Sequence, residues 1–225
     1  MTIHESVTRS AIRVKPAAVS REGHLLAASR RVWAALGLIL AAVLATHLID
    51  FGVYNLKIGL LNATSDSSWS HLLTSCLLVG ATVLTIVAAR QATRERGLWT
   101  TAAVLFAFLA VDEISPLHAQ VDEMAWGKLL YVPLLLALCA SLWSLSVDEG
   151  RFGLIRIGLV TLIASYGIHV LGPHVLSALG LGSETWAYQT KVGVKAGTEL
   201  AGWTLVVCGL GTIITRITYR RGRGA

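Results

Sequence analysis

Residues 98–123 read LWTTAAVLFAFLAVDEISPLHAQVDE, an apolar run that ends in four carboxylates and an imidazole. A membrane-spanning helix needs about 20 predominantly apolar residues, and Asp112 and Glu113 fall inside that length when it is counted from Leu98. A charged side chain near the middle of a bilayer costs ~2.5 kcal/mol or more on insertion scales. The segment therefore predicts a membrane helix whose carboxylates have a partner, a metal ion, a proton or water.

The composition of the whole chain is typical of a membrane protein. Of the 225 residues, 54% are hydrophobic and 14% are charged, and the mean hydropathy is +0.65. The formal net charge is +6, but the basic residues are scattered at the ends of apolar runs and form no patch that would bind nucleic acid. We therefore expect an all-α polytopic membrane protein with no nucleic-acid partner.

Six apolar runs of the length of a membrane helix follow one another along the sequence. They are residues 32–52, 71–89, 98–118, 129–145, 155–175 and 194–215. We predict a domain of six transmembrane helices over residues 32–216, between a mobile basic tail at residues 1–31 and a short basic tail at residues 217–225. The apolar stretch 53–61 is expected to form a short helix along the membrane surface.

The distribution of lysine and arginine predicts the orientation. With a cytoplasmic amino terminus, the outer connections hold only Lys57, Lys128, Lys191 and Lys195 out of the nineteen Lys and Arg residues. Cytoplasmic loops of membrane proteins carry the excess of these residues. We therefore predict that both termini are cytoplasmic, in what we expect to be the inner membrane of a bacterium.

With this orientation, almost all of the ionisable residues inside the runs lie in the outer halves of the predicted helices. Imidazoles and carboxylates at one depth can share a metal ion, and three or four such ligands suit zinc, iron or manganese. The candidate metal ligands are His47, Asp50, Asp112, His118, His169 and His174.

Three residues are candidates for acid–base chemistry. Glu113 or Glu199 is predicted to be the general base that activates water, and Lys195, four residues before Glu199, shares its helix face. On an ideal helix Glu113 points away from Asp112. Either Pro116 reshapes this turn or Glu113 has a partner elsewhere.

Several of these residues also fit structural roles. Lys195 and Glu199 are at the spacing of an ion pair within one helix. His71, at the start of the second run, is interpreted as a histidine at the membrane interface. Gly193 and Gly197 form a G-x-x-x-G pair, a pattern that can seat a neighbouring helix.

Two segments resemble a group of uncharacterised bacterial polytopic membrane proteins. The first runs from Leu109 through Asp112 and Glu113 to His118, and the second covers residues 192–203. In that group an apolar helix ends in Asp-Glu followed by a His and an acidic residue, and a later helix carries a buried Glu before a Gly. Here an alanine follows the histidine where an acidic residue is common. The resemblance implies no particular activity.

A more distant likeness is to the transmembrane metal-dependent hydrolases that include the alkaline ceramidases, which use three His, an Asp and a Ser. The chain departs from them in having six predicted spans rather than seven and no H-x-x-x-H in its last helix. As an analogy, this likeness implies a metal-dependent hydrolase.

Three functions are compatible with this pattern, one of them enzymatic and two of them not. The first is a hydrolase with an outward-facing, metal-binding pocket that takes a lipid or another amphiphile from the outer leaflet. The second is a component of a proton- or cation-coupled transporter, in which Asp112, Glu113 and Glu199 carry protons or a cationic solute. The third is an accessory or structural subunit whose polar cluster ties helices together. Membrane lipids are the expected partners.

Overall fold

The computed structural model of the chain contains six α-helices in the residues that it describes. It describes the backbone of residues 17–92, 95–115, 127–147 and 153–222 and the side chains of 30–92, 95–115, 131–146 and 153–215. The helices are α1 (Ala17–Ile49), α2 (Trp69–Gln91), α3 (Arg96–Ile114), α4 (Gly127–Val147), α5 (Leu154–Ala178) and α6 (Trp186–Gly222), and a π-helical turn, Asp50–Tyr54, follows α1. These segments contain no strand, which confirms the all-α class.

Five helical segments are long and apolar enough to cross a membrane. They are Arg30–Tyr54, Trp69–Gln91, Arg96–Ile114, Leu154–Ala178 and Trp186–Thr215. The part of α4 whose side chains are described contributes a shorter apolar segment, Tyr131–Ser146. These lengths and compositions are consistent with an integral membrane protein that crosses the bilayer several times.

The chain divides into two compact units, Met1–Gly37 and Leu38–Ala225. In the first unit the structure describes the part of α1 that begins at Ala17, so this helix includes the second half of the segment predicted to be a tail. The second unit contains the remaining helices. All contacts described below lie within the second unit.

The end of α3 is set by a proline. The helix ends at Ile114, and Ser115 is extended, with φ −123° and ψ 92°. A residue before a proline is disfavoured in the helical conformation, and Pro116 follows Ser115. The third helix, predicted to run to residue 118, therefore ends before the proline.

Turns, and not the predicted surface helix, form the connection between α1 and α2. Asn55 and Leu56 have φ angles of 52° and 59°, the left-handed conformation that stops a right-handed helix. The Asp50 Oδ1 atom then accepts a hydrogen bond from the N–H of Ile58 at 3.0 Å. This contact turns the chain back toward the end of α1, so residues 55–61 form turns.

Two glycines allow α1 to pack closely on α6. A Cβ atom placed on Gly197 would lie 3.1 Å from the Cα atom of Leu40, and one placed on Gly193 would lie 3.3 Å from the Cα atom of Leu44. Small residues let membrane helices approach at this distance. The prediction that this G-x-x-x-G pair seats a neighbouring helix is confirmed, and the helix is α1.

A second close approach joins α6 to α5. A Cβ atom on Gly158 would lie 2.8 Å from the carbonyl oxygen of Gly202. The two backbones are therefore in contact where these helices cross. With α1 close to another of its faces, α6 approaches the backbones of two helices, α1 and α5.

The apolar core fills the half of the bundle that contains the start of α3 and the end of α4. Trp99, Phe106, Leu142, Leu159 and Leu210 are all buried there. The opposite half, near the α1–α2 connection, contains the polar cavity described below.

Candidate functional site

A cavity of about 520 Å³ lies in the polar half of the bundle. This volume is within the range of ordinary ligand pockets, about 300–1,000 Å³. Residues 63–66 of the α1–α2 connection form part of its wall, together with side chains of α2 to α6. Its ionisable lining residues are Asp66, His71, Asp112, Glu113, His169, Lys191, Lys195 and Glu199.

His71 makes two contacts with Glu113 across the α2–α3 interface. Its Nδ1 atom lies 2.9 Å from Oε1 of Glu113, and its Nε2 atom lies 2.8 Å from the carbonyl oxygen of the same residue. A carbonyl can only accept, so Nε2 carries a hydrogen. Together the two contacts fix the Glu113 carboxylate at the cavity wall.

This contact has a local cause in the end of α3. The last carbonyls of a helix have no intrahelical partner, and α3 ends one residue after Glu113. His71 satisfies this carbonyl and the carboxylate together. The interpretation of His71 as an interfacial residue missed this role, because neither its helix nor its neighbours in sequence indicate which helix it faces.

Asp112 lies on the other side of the same turn and faces α4. Its side chain is buried, and its Oδ1 atom accepts a hydrogen bond from the hydroxyl of Tyr131 at 3.0 Å. Asp112 and Glu113 thus point in different directions, as an ideal helix predicts, yet both line the cavity. Glu113 has its partner elsewhere, on α2.

Three residues of α6 line the cavity at intervals of four. Lys191, Lys195 and Glu199 therefore share one face of the helix, as their spacing predicts. The Lys195 Nζ atom lies 2.6 Å from Oε2 of Glu199. The Lys191 stem packs on Gly172, and its ammonium lies 5.0 Å from the centroid of the Tyr188 ring.

His47 lies at 0% exposure outside the cavity lining and holds the α1–α2 connection. Its Nδ1 atom accepts a hydrogen bond from the N–H of Ala63 at 3.2 Å, so the ring hydrogen is on Nε2, which lies 2.9 Å from Oε1 of Gln189. The Gln189 amide in turn donates to the carbonyl oxygen of Ser183 at 2.6 Å. In this arrangement neither nitrogen of His47 offers a lone pair to a metal ion.

Asp50 has the same kind of role as His47. It is 0% exposed, and Oδ1 accepts the amide hydrogen of Ile58. Its Oδ2 atom is buried and has no hydrogen-bond partner among the described residues. Both predicted ligands at the end of α1 therefore bind backbone of the α1–α2 connection.

The six predicted metal ligands do not come together in the described part of the chain. Asp112 and His169 line the cavity, whereas His174 is exposed and is not part of its wall. His118 lies outside the described residues. Within those residues no group of three or more His, Cys, Asp or Glu side chains could hold a metal ion. All three predicted acid–base residues, Glu113, Lys195 and Glu199, do line the cavity.

An apolar groove of about 410 Å³ lies between α4 and α5 and adjoins the cavity. Most of its wall surface is apolar, and Leu136 and Ile163 at its rim are more than half exposed. The groove and the cavity share a wall formed by Leu135, Tyr166, His169, Lys195, Glu199 and Trp203. A single elongated molecule could therefore occupy both spaces.

Aromatic residues of the site were not predicted from the sequence. Tyr131, Tyr166, Tyr188 and Trp203 line the cavity, and Trp203 also packs edge-on against Phe106 with ring centroids 6.0 Å apart. Tyrosines in apolar runs are usual in membrane helices. Their positions in the sequence, which place them at the same membrane depth as the carboxylates, could have identified these aromatic residues.

Comparison with known proteins gives one family. The model of the family described as Domain of unknown function (DUF8692) matches residues 35–214, which include the last part of α1, all of the described residues of α2 to α5 and most of α6. No curated protein and no solved structure matches the chain.

Proposed function

We propose that this chain, which belongs to the family DUF8692, a domain of unknown function, binds an amphiphile within the bilayer. The observation that carries the proposal is the wall shared by the polar cavity and the apolar groove. The polar head of the amphiphile lies in the cavity, and its tail lies in the groove between α4 and α5. A purely polar solute would leave the groove unused.

The groove is the route by which the amphiphile enters. Leu136 on α4 and Ile163 on α5 are exposed at its rim, and in a membrane such residues face lipid tails. An amphiphile can therefore slide sideways from the bilayer with its tail always in an apolar environment. Its head then reaches Lys195 and Glu199, which lie where the two spaces meet.

The orientation that we propose puts the cavity on the outer side of the membrane. With α4 counted as a span, six helices place both termini on the same side, and the lysine and arginine distribution makes that side the cytoplasm. The amphiphile then comes from the outer leaflet of a bacterial inner membrane. A reporter enzyme that is active only outside the cytoplasm, fused after Ala225, should remain inactive. Activity of this fusion would show that the carboxyl terminus lies outside the cytoplasm and that the proposed orientation is wrong.

The binding proposal is tested by filling the groove. The variant Ile163→Trp places a large ring at the groove rim, and Val160→Trp, on the same helix and equally exposed, is the matched control because Val160 does not line the groove. The measurement is equilibrium binding of a fluorescent single-chain amphiphile to the protein in nanodiscs. Ile163→Trp should weaken binding about tenfold, or ~1.4 kcal/mol, and the control should leave it unchanged. Equal binding by both variants and the unaltered chain would contradict the proposal.

Hydrolysis of the bound amphiphile is a second candidate function. It is favoured by the contact of 2.9 Å between the His71 imidazole and the Glu113 carboxylate at the cavity wall, since an imidazole and a carboxylate within hydrogen-bond reach can act together in general acid–base catalysis. Release of fatty acid from ester- and amide-linked amphiphiles, with metal analysis of the same preparation, tests this candidate. Glu113→Gln should abolish the release.

A further inference from the structure

The charges of the cavity wall indicate which class of head group it accepts. Among the residues that the structure describes, four carboxylates line the cavity, those of Asp66, Asp112, Glu113 and Glu199, against two ammonium groups. The Lys195 ammonium lies 2.6 Å from Glu199. These described groups are together neutral only if both imidazoles, of His71 and His169, are protonated, and otherwise their carboxylates are in excess. An anionic head would add to this excess, whereas a cationic head reduces it.

The aromatic residues of the wall favour the same class of ligand. Ammonium groups are attracted to the faces of tyrosine and tryptophan rings, and aromatic rings are a common way of binding quaternary ammonium. Such a contact already exists in the cavity, where the Lys191 ammonium lies 5.0 Å from the Tyr188 ring centroid. Tyr131, Tyr166 and Trp203 provide further rings along the same wall.

Asp112 is the carboxylate that we expect to lie nearest the bound head. It is buried, it lies at cavity depth, and the Tyr131 hydroxyl that donates to it belongs to the helix that also forms the groove. A carboxylate and a tyrosine ring side by side provide charge and a π-face together. From these observations we propose that the cavity binds an amphiphile with a cationic amine head, a protonated or quaternary ammonium. This inference rests on the proposed function and specifies its ligand.

Competition among amphiphiles with the same tail tests the inference. The protein is placed in nanodiscs whose lipids carry no net charge and is loaded with the fluorescent amphiphile. It is then titrated with dodecyltrimethylammonium, dodecyl sulfate or dodecyl maltoside, each below its critical micelle concentration. Nanodiscs containing the Ile163→Trp variant correct for partition of each competitor into lipid. The ammonium compound should compete about tenfold more strongly than the other two.

Two variants locate this preference. Asp112→Asn retains an oxygen that can accept from Tyr131 and removes the charge, so it should reduce the advantage of the ammonium head at least severalfold while maltoside binding is unchanged. Glu184→Gln, an exposed carboxylate outside the cavity wall, is the matched control and should keep the full preference.

The outcomes separate this inference from the proposed function. If the three heads compete equally, or sulfate competes best, while Ile163→Trp still weakens binding, then the cationic head is wrong and amphiphile binding stands. If none competes and Ile163→Trp has no effect, both are wrong. An unchanged preference in Asp112→Asn would overturn the role of this carboxylate.

Discussion

The imidazole of His71 makes both of its polar contacts with Glu113, at 2.9 Å to the carboxylate and 2.8 Å to the backbone carbonyl. One side chain of α2 thereby closes the end of α3 and holds its carboxylate at the cavity wall. Because a carbonyl only accepts, Nε2 of His71 carries a hydrogen. One pair of residues therefore fixes both the end of α3 and the position of a carboxylate at the cavity wall.

Removing each partner of this pair should have unequal effects on stability. His71→Ala leaves the carboxylate and the carbonyl of Glu113 without these donors and should lower the free energy of unfolding by about 1–3 kcal/mol. Glu113→Gln should cost less than half as much, because its amide can donate to Nδ1 while Nε2 still donates to the carbonyl. Thermal unfolding of the two variants in one detergent gives the comparison. A larger loss for Glu113→Gln would mean that the carboxylate charge, and not the hydrogen bonds, stabilises the interface.

Substitution of His47 should loosen the α1–α2 connection. In His47→Ala the N–H of Ala63 and the Oε1 atom of Gln189 lose their partner, at a cost of about 1–3 kcal/mol. Trypsin cleavage after Lys57, the single basic residue of this connection, should become faster. His174→Ala, which removes an exposed imidazole, is the control and should be cut at the original rate.

The same variant separates a structural histidine from a metal ligand. If His47 acts only through Ala63 and Gln189, a chelator should leave both the unaltered chain and His47→Ala as stable as before. Loss of stability with chelator in the unaltered chain alone would instead support the predicted metal site at the end of α1.

Because α1 and α6 are in close contact, a methyl group added at a glycine between them should lower the stability of the protein, whereas one added at a glycine elsewhere in α6 should not. A Cβ atom on Gly197 would lie 2.6 Å from Cδ1 and 3.1 Å from Cα of Leu40, whereas one on Gly211 meets nothing within 4 Å. Gly197→Ala should therefore lower the free energy of unfolding by about 1–3 kcal/mol through overpacking. Gly211→Ala should cause no loss, since alanine favours a helix by about 1 kcal/mol over glycine. Equal effects on thermal unfolding would refute this packing of the two helices.

The helices and the depth of the polar site were predictable from the sequence because both depend on properties of one segment at a time. Apolar length predicts a membrane helix, and the spacing of Lys191, Lys195 and Glu199 places them on one face. The G-x-x-x-G pair likewise required only the recognition of two small residues in α6. In each case the residues that form the pattern are only a few positions apart in the sequence.

Contacts between helices could not be predicted in this way. His71 and Glu113 are separated by 42 positions and His47 and Gln189 by 142, and the apolar pattern of a membrane helix does not fix how it is rotated toward its neighbours. His47 and Asp50 were predicted to be metal ligands, and in the structure they contact amides of the α1–α2 connection and, in the case of His47, also Gln189 of α6. The groove could not be predicted for a related reason, since the aliphatic residues that line it are of the same types as the residues that face lipid.

The ion pair of α6 gives the last prediction, which concerns coupling between two charges. The Lys195 ammonium and the Glu199 carboxylate are 2.6 Å apart, and each side chain is about one-third exposed. Lys195→Gln or Glu199→Gln alone leaves one charge at the junction of cavity and groove, whereas the double variant leaves two neutral amides. Because partial exposure to solvent weakens such pairs, we expect a coupling energy of about 0.5–1 kcal/mol from the four-protein cycle. Thermal unfolding of all four proteins measures it, and strictly additive losses would show that the two charges are independent of each other.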